Sequence, residues 1–141
     1  MTLYLDTSLL VAALTREART DQIQGWLYER EPGALAISEW TVTEFSSALS
    51  LKMRTGAIDA RLRADALAAA ARLCSDSFAL LPITSNEFRV ATKFVDQHTL
   101  GLRAGDALHL AVSAAHGATL CTLDRRLAEA GPPLGVPTLV P

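Results

Sequence analysis

The sequence predicts an α/β fold: a parallel sheet covered by helices on both faces. Two observations predict it. Short apolar runs of strand length alternate with longer helix-like segments along the chain, the pattern of strands joined by helical crossovers. In addition, four acidic residues, Asp6, Glu44, Asp106 and Asp124, each stand where an apolar run ends or a helix begins. A parallel sheet gathers the carboxyl ends of its strands along one edge, where ligands bind. Acids from remote parts of the chain would then meet at one spot. The length of 141 residues, half of them hydrophobic and 20% charged, suits one globular domain spanning residues 1–141.

Leu3-Tyr4-Leu5 is the first strand, and Asp6-Thr7-Ser8 supplies N-cap chemistry for a helix over Leu9–Leu14. A second helix runs from about Asp21 to Glu31, and Pro32-Gly33 breaks the chain before the strand Ala34–Ile37. Thr41 and Glu44 have capping-box spacing for a helix reaching about Thr55. Asp59 starts an alanine-rich helix ending near Cys74, and Phe78–Ile83 is the third strand. Thr84 and Glu87 form another capping box, for a helix to about Gln97. Arg103–His116 is an apolar helix with Gly117 placed as its C-cap. Ala118–Thr122 is the fourth strand, Asp124–Ala130 a short helix, and Val136–Val140 an edge strand, since Pro137 lies within it.

Composition excludes several classes. No apolar run reaches the ~18 residues of a membrane span. The N-terminus lacks a basic region and carries Asp6 inside its apolar stretch, so it reads as a buried strand, not a signal peptide. Cys74 and Cys121 are too few for a disulfide framework and lack zinc-ligand spacing; a reducing cytoplasm fits them. A net charge of −2 argues against coating nucleic acid by bulk electrostatics, while leaving room for a local basic groove.

Acids brought together at one edge repel, and a divalent cation is the simplest group that holds them. Hard oxygen ligands suit Mg²⁺ or Mn²⁺ rather than zinc, and no nucleophile stands out, so the pattern points to hydrolysis by metal-activated water. Ser8 and Thr122 can add hydroxyl contacts. Each acid also has a structural reading. Asp6 and Asp124 serve as N-caps, Asp106 as a helix-dipole partner, and Glu44 as part of a capping box. Asp21, Asp59 and Glu87 read as caps alone. Asp106 and His109 share a helix face and together offer two metal ligands, against the plainer reading of His109 as a satisfied, semi-buried histidine. Ile23, Trp26 and Leu27 form an apolar helix face, either core or a partner surface.

LYLDTSLLVA at Leu3–Ala12, ISEWTVTEFSSAL at Ile37–Leu49 and LRAGDALHLAVSAAHGATLCTLDRRLAEAG at Leu102–Gly131 resemble the PIN-domain nucleases, and among them the VapC-type toxins of toxin–antitoxin pairs. The resemblance places the family's four acids on Asp6, Glu44, Asp106 and Asp124, and its hydroxyls on Thr7, Ser8 and Thr122. It implies a three-layer α/β/α sandwich with a five-stranded parallel sheet, and an endoribonuclease dependent on Mg²⁺ or Mn²⁺. It further implies metal held by Asp6, Asp106 and Asp124, with Glu44 binding directly or through water. Cleavage of RNA would inhibit translation. A homodimer and a VapB-like antitoxin, docked on a surface including Ile23, Trp26 and Leu27, are the implied partners. Arg16, Arg103, Arg125 and Arg126 are candidates for RNA backbone contacts.

Other classes fit less well. An aspartate-nucleophile phosphatase wants a second aspartate two residues after Asp6, where Ser8 stands. A receiver domain needs an aspartate ending the third strand, where Pro82-Ile83-Thr84 stands. Two alternatives to a toxin stay open: a PIN-like nuclease of RNA processing, and a catalytically silent RNA- or partner-binding module.

Overall fold

A computed structural model describes all residues from Met1 to Pro141. Five strands, β1 (Leu3–Leu5), β2 (Leu35–Ser38), β3 (Ala79–Leu81), β4 (Thr119–Cys121) and β5 (Thr138–Leu139), form one sheet. Its order is β3-β2-β1-β4-β5, and every pairing is parallel. The helices are α1 (Thr7–Leu14), α2 (Thr20–Tyr28), α3 (Glu39–Arg54), α4 (Ala60–Asp76), α5 (Ser85–Asp96), α6 (Ala104–Ala115) and α7 (Arg125–Ala130). Single 3₁₀ turns at His98–Leu100 and Pro132–Leu134, absent from the sequence reading, complete the chain.

Side chains alternate across a strand, and β1 shows what that does here. Leu3 and Leu5 point to one face and join a core with Leu9 and Leu10 of α1, Ile23 of α2, Phe45 and Leu49 of α3 and Ala66 of α4. Tyr4 points to the other face, into a second core with Leu108, Leu110 and Val112 of α6 and Leu127 of α7. Cys121 and Leu120 of β4 divide in the same way. All three residues of β1 are buried, as a central strand with helices on both sides requires. The expected three-layer sandwich is therefore what forms. Cys121 is a free thiol within the first core, and burial pushes it up to about 12, so it behaves as a small apolar group. No helix is long and apolar enough to cross a membrane.

Most caps fall where expected. Asp59 accepts from the Leu62 amide at 2.8 Å, and Thr84 with Glu87 forms the reciprocal box at the start of α5. Two expectations need correction. The box that starts α3 joins Ser38 to Thr41, so the helix begins at Glu39 and Glu44 lies one turn further in, with no capping role. Ser38 is the better cap because its extended backbone leaves β2 directly into the helix. Asp21 is likewise not the cap of α2: it lies in the first turn behind Arg19, where its charge faces the helix dipole.

The sheet order sets the position of any site. From β1 the chain builds outward through β2 and β3, then returns to β4 on the other side of β1. The two crossovers diverge between β1 and β4, leaving a crevice at their carboxyl ends. Asp6 follows β1 and Asp124 follows β4, so both stand at that crevice.

Gly131 tests how tightly the α7–β5 corner is packed. A Cβ there would lie 2.3 Å from Thr138 Cγ2 and 2.8 Å from the Val136 carbonyl oxygen. Gly25, inside α2, has no such neighbour within 4 Å. Gly131→Ala is expected to destabilise the protein by about 1–3 kcal/mol through overpacking, and Gly25→Ala to stabilise it by about 0.5–1 kcal/mol. Urea unfolding of the two variants measures both.

Candidate active site

Asp6 leaves β1 in extended conformation and caps α1, its Oδ1 accepting from the Ser8 amide at 3.0 Å. The Ser8 hydroxyl donates to the same oxygen and accepts from the Leu123 amide at 2.9 Å. Thr122 Oγ1 donates to Asp6 Oδ2 at 2.5 Å and accepts from the Asp124 amide at 3.0 Å. Two hydroxyls thus lace the end of β1 to the loop after β4. Asp124 caps α7 by accepting from the amides of Arg126 and Leu127. For Asp6 and Asp124 the capping role is real, and it aims both carboxylates at the crevice.

Asp106 lies in the first turn of α6, half-buried, and lines a cleft of about 220 Å³ with Asp124, Arg103, Arg126 and residues 100–102. Gly101 has φ +64°, and a Cβ there would sit 3.0 Å from the Arg126 guanidinium. Glycine both permits that left-handed turn and leaves room for the cation. Glu44 reaches the same region from α3. Its Oε2 would lie 3.1 Å from a Cβ on Gly105, so its carboxylate sits over the first turn of α6. Its Oε1 accepts from Thr7 Oγ1 at 2.7 Å and from His109 Nε2.

The electrostatics agree with this convergence. Burial raises the Asp6 carboxyl above its ordinary range, against the hydrogen bonds from Ser8 and Thr122. Asp106 is also raised, first by burial and then by the charge of Asp124, with Glu44 and Asp6 adding to it and His109 opposing. Glu44 moves the other way. Burial alone would raise it, but the hydrogen bond and charge of His109, together with Thr7, hold it below the usual range. Neither Asp6, Asp106 nor Asp124 is in an ion pair with Lys or Arg.

This donor set fits a hard divalent cation in charge and ligand type: up to eight carboxylate oxygens, two hydroxyls and no sulfur. As the side chains lie, no three His, Cys, Asp or Glu groups are close enough to hold an ion. The structure thus brings all four acids to one end of the sheet without closing them into a cage.

Sequence reasoning missed the support beneath Glu44. His109 is buried, with Nδ1 2.8 Å from the Tyr4 hydroxyl, which lies 2.7 Å from Ser38 Oγ. His109 is satisfied at both ring nitrogens, as the sequence predicts, but is fully buried rather than semi-buried. Its partners, Tyr4 and Glu44, come from β1 and α3, and no local pattern joins them. The other candidates divide. Arg103 and Arg126 flank the acidic cleft. Arg16 lines a different cleft, of about 590 Å³, with Asp59, Arg61 and Asp65, and Arg125 lines neither. Ile23 is fully buried and presents no surface, a correction to its place in a docking face. Trp26 is partly buried, with the Arg30 guanidinium 4.7 Å from its ring centroid. Leu27 with Tyr28, which is 91% exposed, lines an apolar cleft closed by Leu73 and Phe78.

The PIN-domain family profile matches residues 3–131. The chain belongs to the PIN-domain family. Among solved structures it is similar to the sarcin–ricin-loop-cleaving toxin VapC20 of Mycobacterium tuberculosis, at 20% identity and TM-score 0.76 over 92% of this chain and 95% of that one. It is also similar to a toxin–antitoxin complex from Klebsiella pneumoniae, at 17% identity and TM-score 0.62 over 91% and 90%. Against the PAE2754 protein of Pyrobaculum aerophilum it shows 26% identity and TM-score 0.63 over 98% and 90%. Comparison with curated protein sequences gives no significant match. At these identities the likeness establishes the PIN fold.

The crowding of like charges has a measurable consequence. A carboxyl raised in the folded state makes the native protein bind more protons than the unfolded chain above pH 3.8, so stability falls as pH rises through that window. Asp106→Asn removes the cost. In chelator, its melting temperature at pH 7 is expected to exceed that of wild type, with the difference shrinking as pH approaches 3.8. Calorimetry across pH checks this.

Proposed function

We propose that this PIN-domain protein is an endoribonuclease dependent on Mg²⁺ or Mn²⁺, and the toxin of a toxin–antitoxin pair whose RNA cleavage inhibits translation. One observation carries the reading. Asp6, Glu44, Asp106 and Asp124 are gathered toward the carboxyl ends of β1 and β4, and no Lys or Arg is paired with any of them. Left alone, that arrangement costs stability, which a protein retains where function requires it. The toxin assignment rests further on the likeness to VapC20 and to the Klebsiella toxin–antitoxin complex.

Asp6, Asp106 and Asp124 would hold the cation, with Glu44 joining directly or through water. A bound Mg²⁺ or Mn²⁺ supplies a low-pKa water and positive charge on the phosphoryl oxygens. The chain's own residues do the rest. Ser8 and Thr122 fix the Asp6 carboxylate, and the capping bonds fix Asp124. Arg103 and Arg126, on the rim of the cleft, draw in the phosphate backbone and orient it. Because water is the nucleophile, the RNA 2′-hydroxyl is not consumed, and preference for RNA comes from recognition. A VapB-like antitoxin would cover the Leu27 and Tyr28 cleft and restrain the enzyme, which would act as a homodimer in the cytoplasm.

The decisive experiment is RNA cleavage by purified protein freed of any antitoxin, with Mg²⁺ or Mn²⁺. Asp6→Asn and Asp106→Asn are each expected to lower the rate about 100-fold or more, and excess chelator to stop it. Cleavage that persists in both variants or in chelator defeats the metal-dependent reading. A wild type that cuts no RNA among many tried leaves a silent binding module or a nuclease of narrower RNA-processing role. The arginines are tested separately. In an Asp6→Asn background, Arg103→Ala and Arg126→Ala are each expected to weaken RNA binding and reduce the salt slope by about 1. Arg16→Ala, on the other cleft, should leave that slope unchanged.

A further inference from the structure

Glu44 is the acid whose position depends most on other side chains. It extends from a helix interior, carries no capping bond to its own backbone, and is only half-buried. Asp6 and Asp124, by contrast, are pinned by backbone amides two residues further along the chain. What holds Glu44 comes from outside its helix: Thr7 of α1 and His109 of α6, both on Oε1.

The hydrogen bond from His109 to Glu44 has one direction in either charge state of the ring. A carboxylate oxygen only accepts, so His109 Nε2 carries the hydrogen it gives to Glu44. The phenol of Tyr4 is pushed up to about 12 by burial and keeps its own hydrogen. In the neutral ring, Nδ1 accepts from Tyr4, and the Tyr4 oxygen accepts from the Ser38 hydroxyl, 2.7 Å away. In the charged ring, Nδ1 donates to the Tyr4 oxygen and Tyr4 donates to Ser38, while Nε2 donates to Glu44 in both. Ser38, Tyr4, His109 and Glu44 form a line from the end of β2, through the buried side of β1, to the acidic crevice. Tyr4 and His109 are each no more than 1% exposed. Such a chain leaves the imidazole little freedom to turn. Both bonds to the carboxylate fall on Oε1, so Oε2 is left facing Gly105 and the start of α6.

We infer that His109 is a positioning residue: its Nε2–H fixes the Glu44 carboxylate so that Oε2 stays turned toward the cation site. The inference rests on the nuclease reading and adds a residue that reading does not use. It also accounts for a polar line through an apolar core, where a leucine at position 109 would pack without needing partners.

Two near-isosteric substitutions separate positioning from a merely structural role. In His109→Gln, the amide nitrogen reaches as far as Nε2 and can still donate to Glu44, while the bond to Tyr4 is weakened. In His109→Asn, the shorter side chain can keep Tyr4 and cannot reach Glu44. Mn²⁺ affinity by electron paramagnetic resonance, kcat on RNA and melting temperature are measured for both and for wild type. Positioning predicts that His109→Asn loses about 10–100-fold in Mn²⁺ affinity or kcat, while His109→Gln stays within about threefold of wild type, whichever variant melts higher. Equal values for Asn and Gln, or a loss that follows melting temperature alone, overturn the inference and leave the nuclease reading intact. A wild type that neither binds Mn²⁺ nor cleaves RNA overturns that reading and the inference with it. Should either variant fail to fold, Thr7→Val, which removes the other bond to Oε1, takes its place. It is expected to lower Mn²⁺ affinity severalfold in a folded protein, and an unchanged affinity counts against positioning.

Discussion

A carboxylate buried at the end of a central strand must find hydrogen bonds or lose its charge. Asp6 finds them on both oxygens, from Ser8 and from Thr122, and Thr122 belongs to the loop after β4. That one interaction joins the two strands between which the chain changes direction. It fixes the spacing of Asp6 and Asp124, brings the start of α7 against the start of α1, and gives the crevice its floor. The second core, built on Tyr4 and α6, then presents Asp106 and His109 to the same end of the sheet.

Structure and chemistry pull against each other at this point. The fold places like charges together and leaves three of them without a cationic partner among its own side chains. Burial and mutual repulsion raise Asp6 and Asp106, whereas Glu44, alone in having His109 beside it, is lowered. The site is thus asymmetric before anything binds: one carboxylate is compensated from within, and the others are left for a ligand to compensate. Hydroxyls do the supporting work, since Ser8, Thr122 and Thr7 satisfy carboxylate oxygens without neutralising them.

The capping interactions show how one residue can serve both local structure and the site. Asp6 and Asp124 start helices because extended backbone at a strand end presents a side-chain oxygen to free amides. The same geometry turns the carboxylate toward the edge of the sheet. The cap and the orientation of the carboxylate come from one backbone conformation. Glu44 differs. Its apparent capping box with Thr41 dissolved once Ser38 took the N-cap, and its side chain proved to be held by residues 37 and 65 positions away.

By itself the sequence determined the alternation of strands and helices, the caps at Asp59 and Thr84, the placement of β1 and the four acids worth watching. These follow from local chemistry: periodicity, turn residues and capping oxygens act over a few positions. Helix and strand ends shifted by one to three residues, because local signals overlap where one element hands over to the next. Only the tertiary structure decided which face each side chain took. It buried Ile23, which a helix pattern alone could not separate from its half-exposed neighbours Trp26 and Leu27. It sorted Arg103 and Arg126 to the acidic cleft and Arg16 to another. It also assembled Ser38, Tyr4, His109 and Glu44 from four elements into one hydrogen-bonded line. The physical reason is that buried polar groups must pair, and their partners are chosen by packing across the sheet, which no short stretch of sequence specifies.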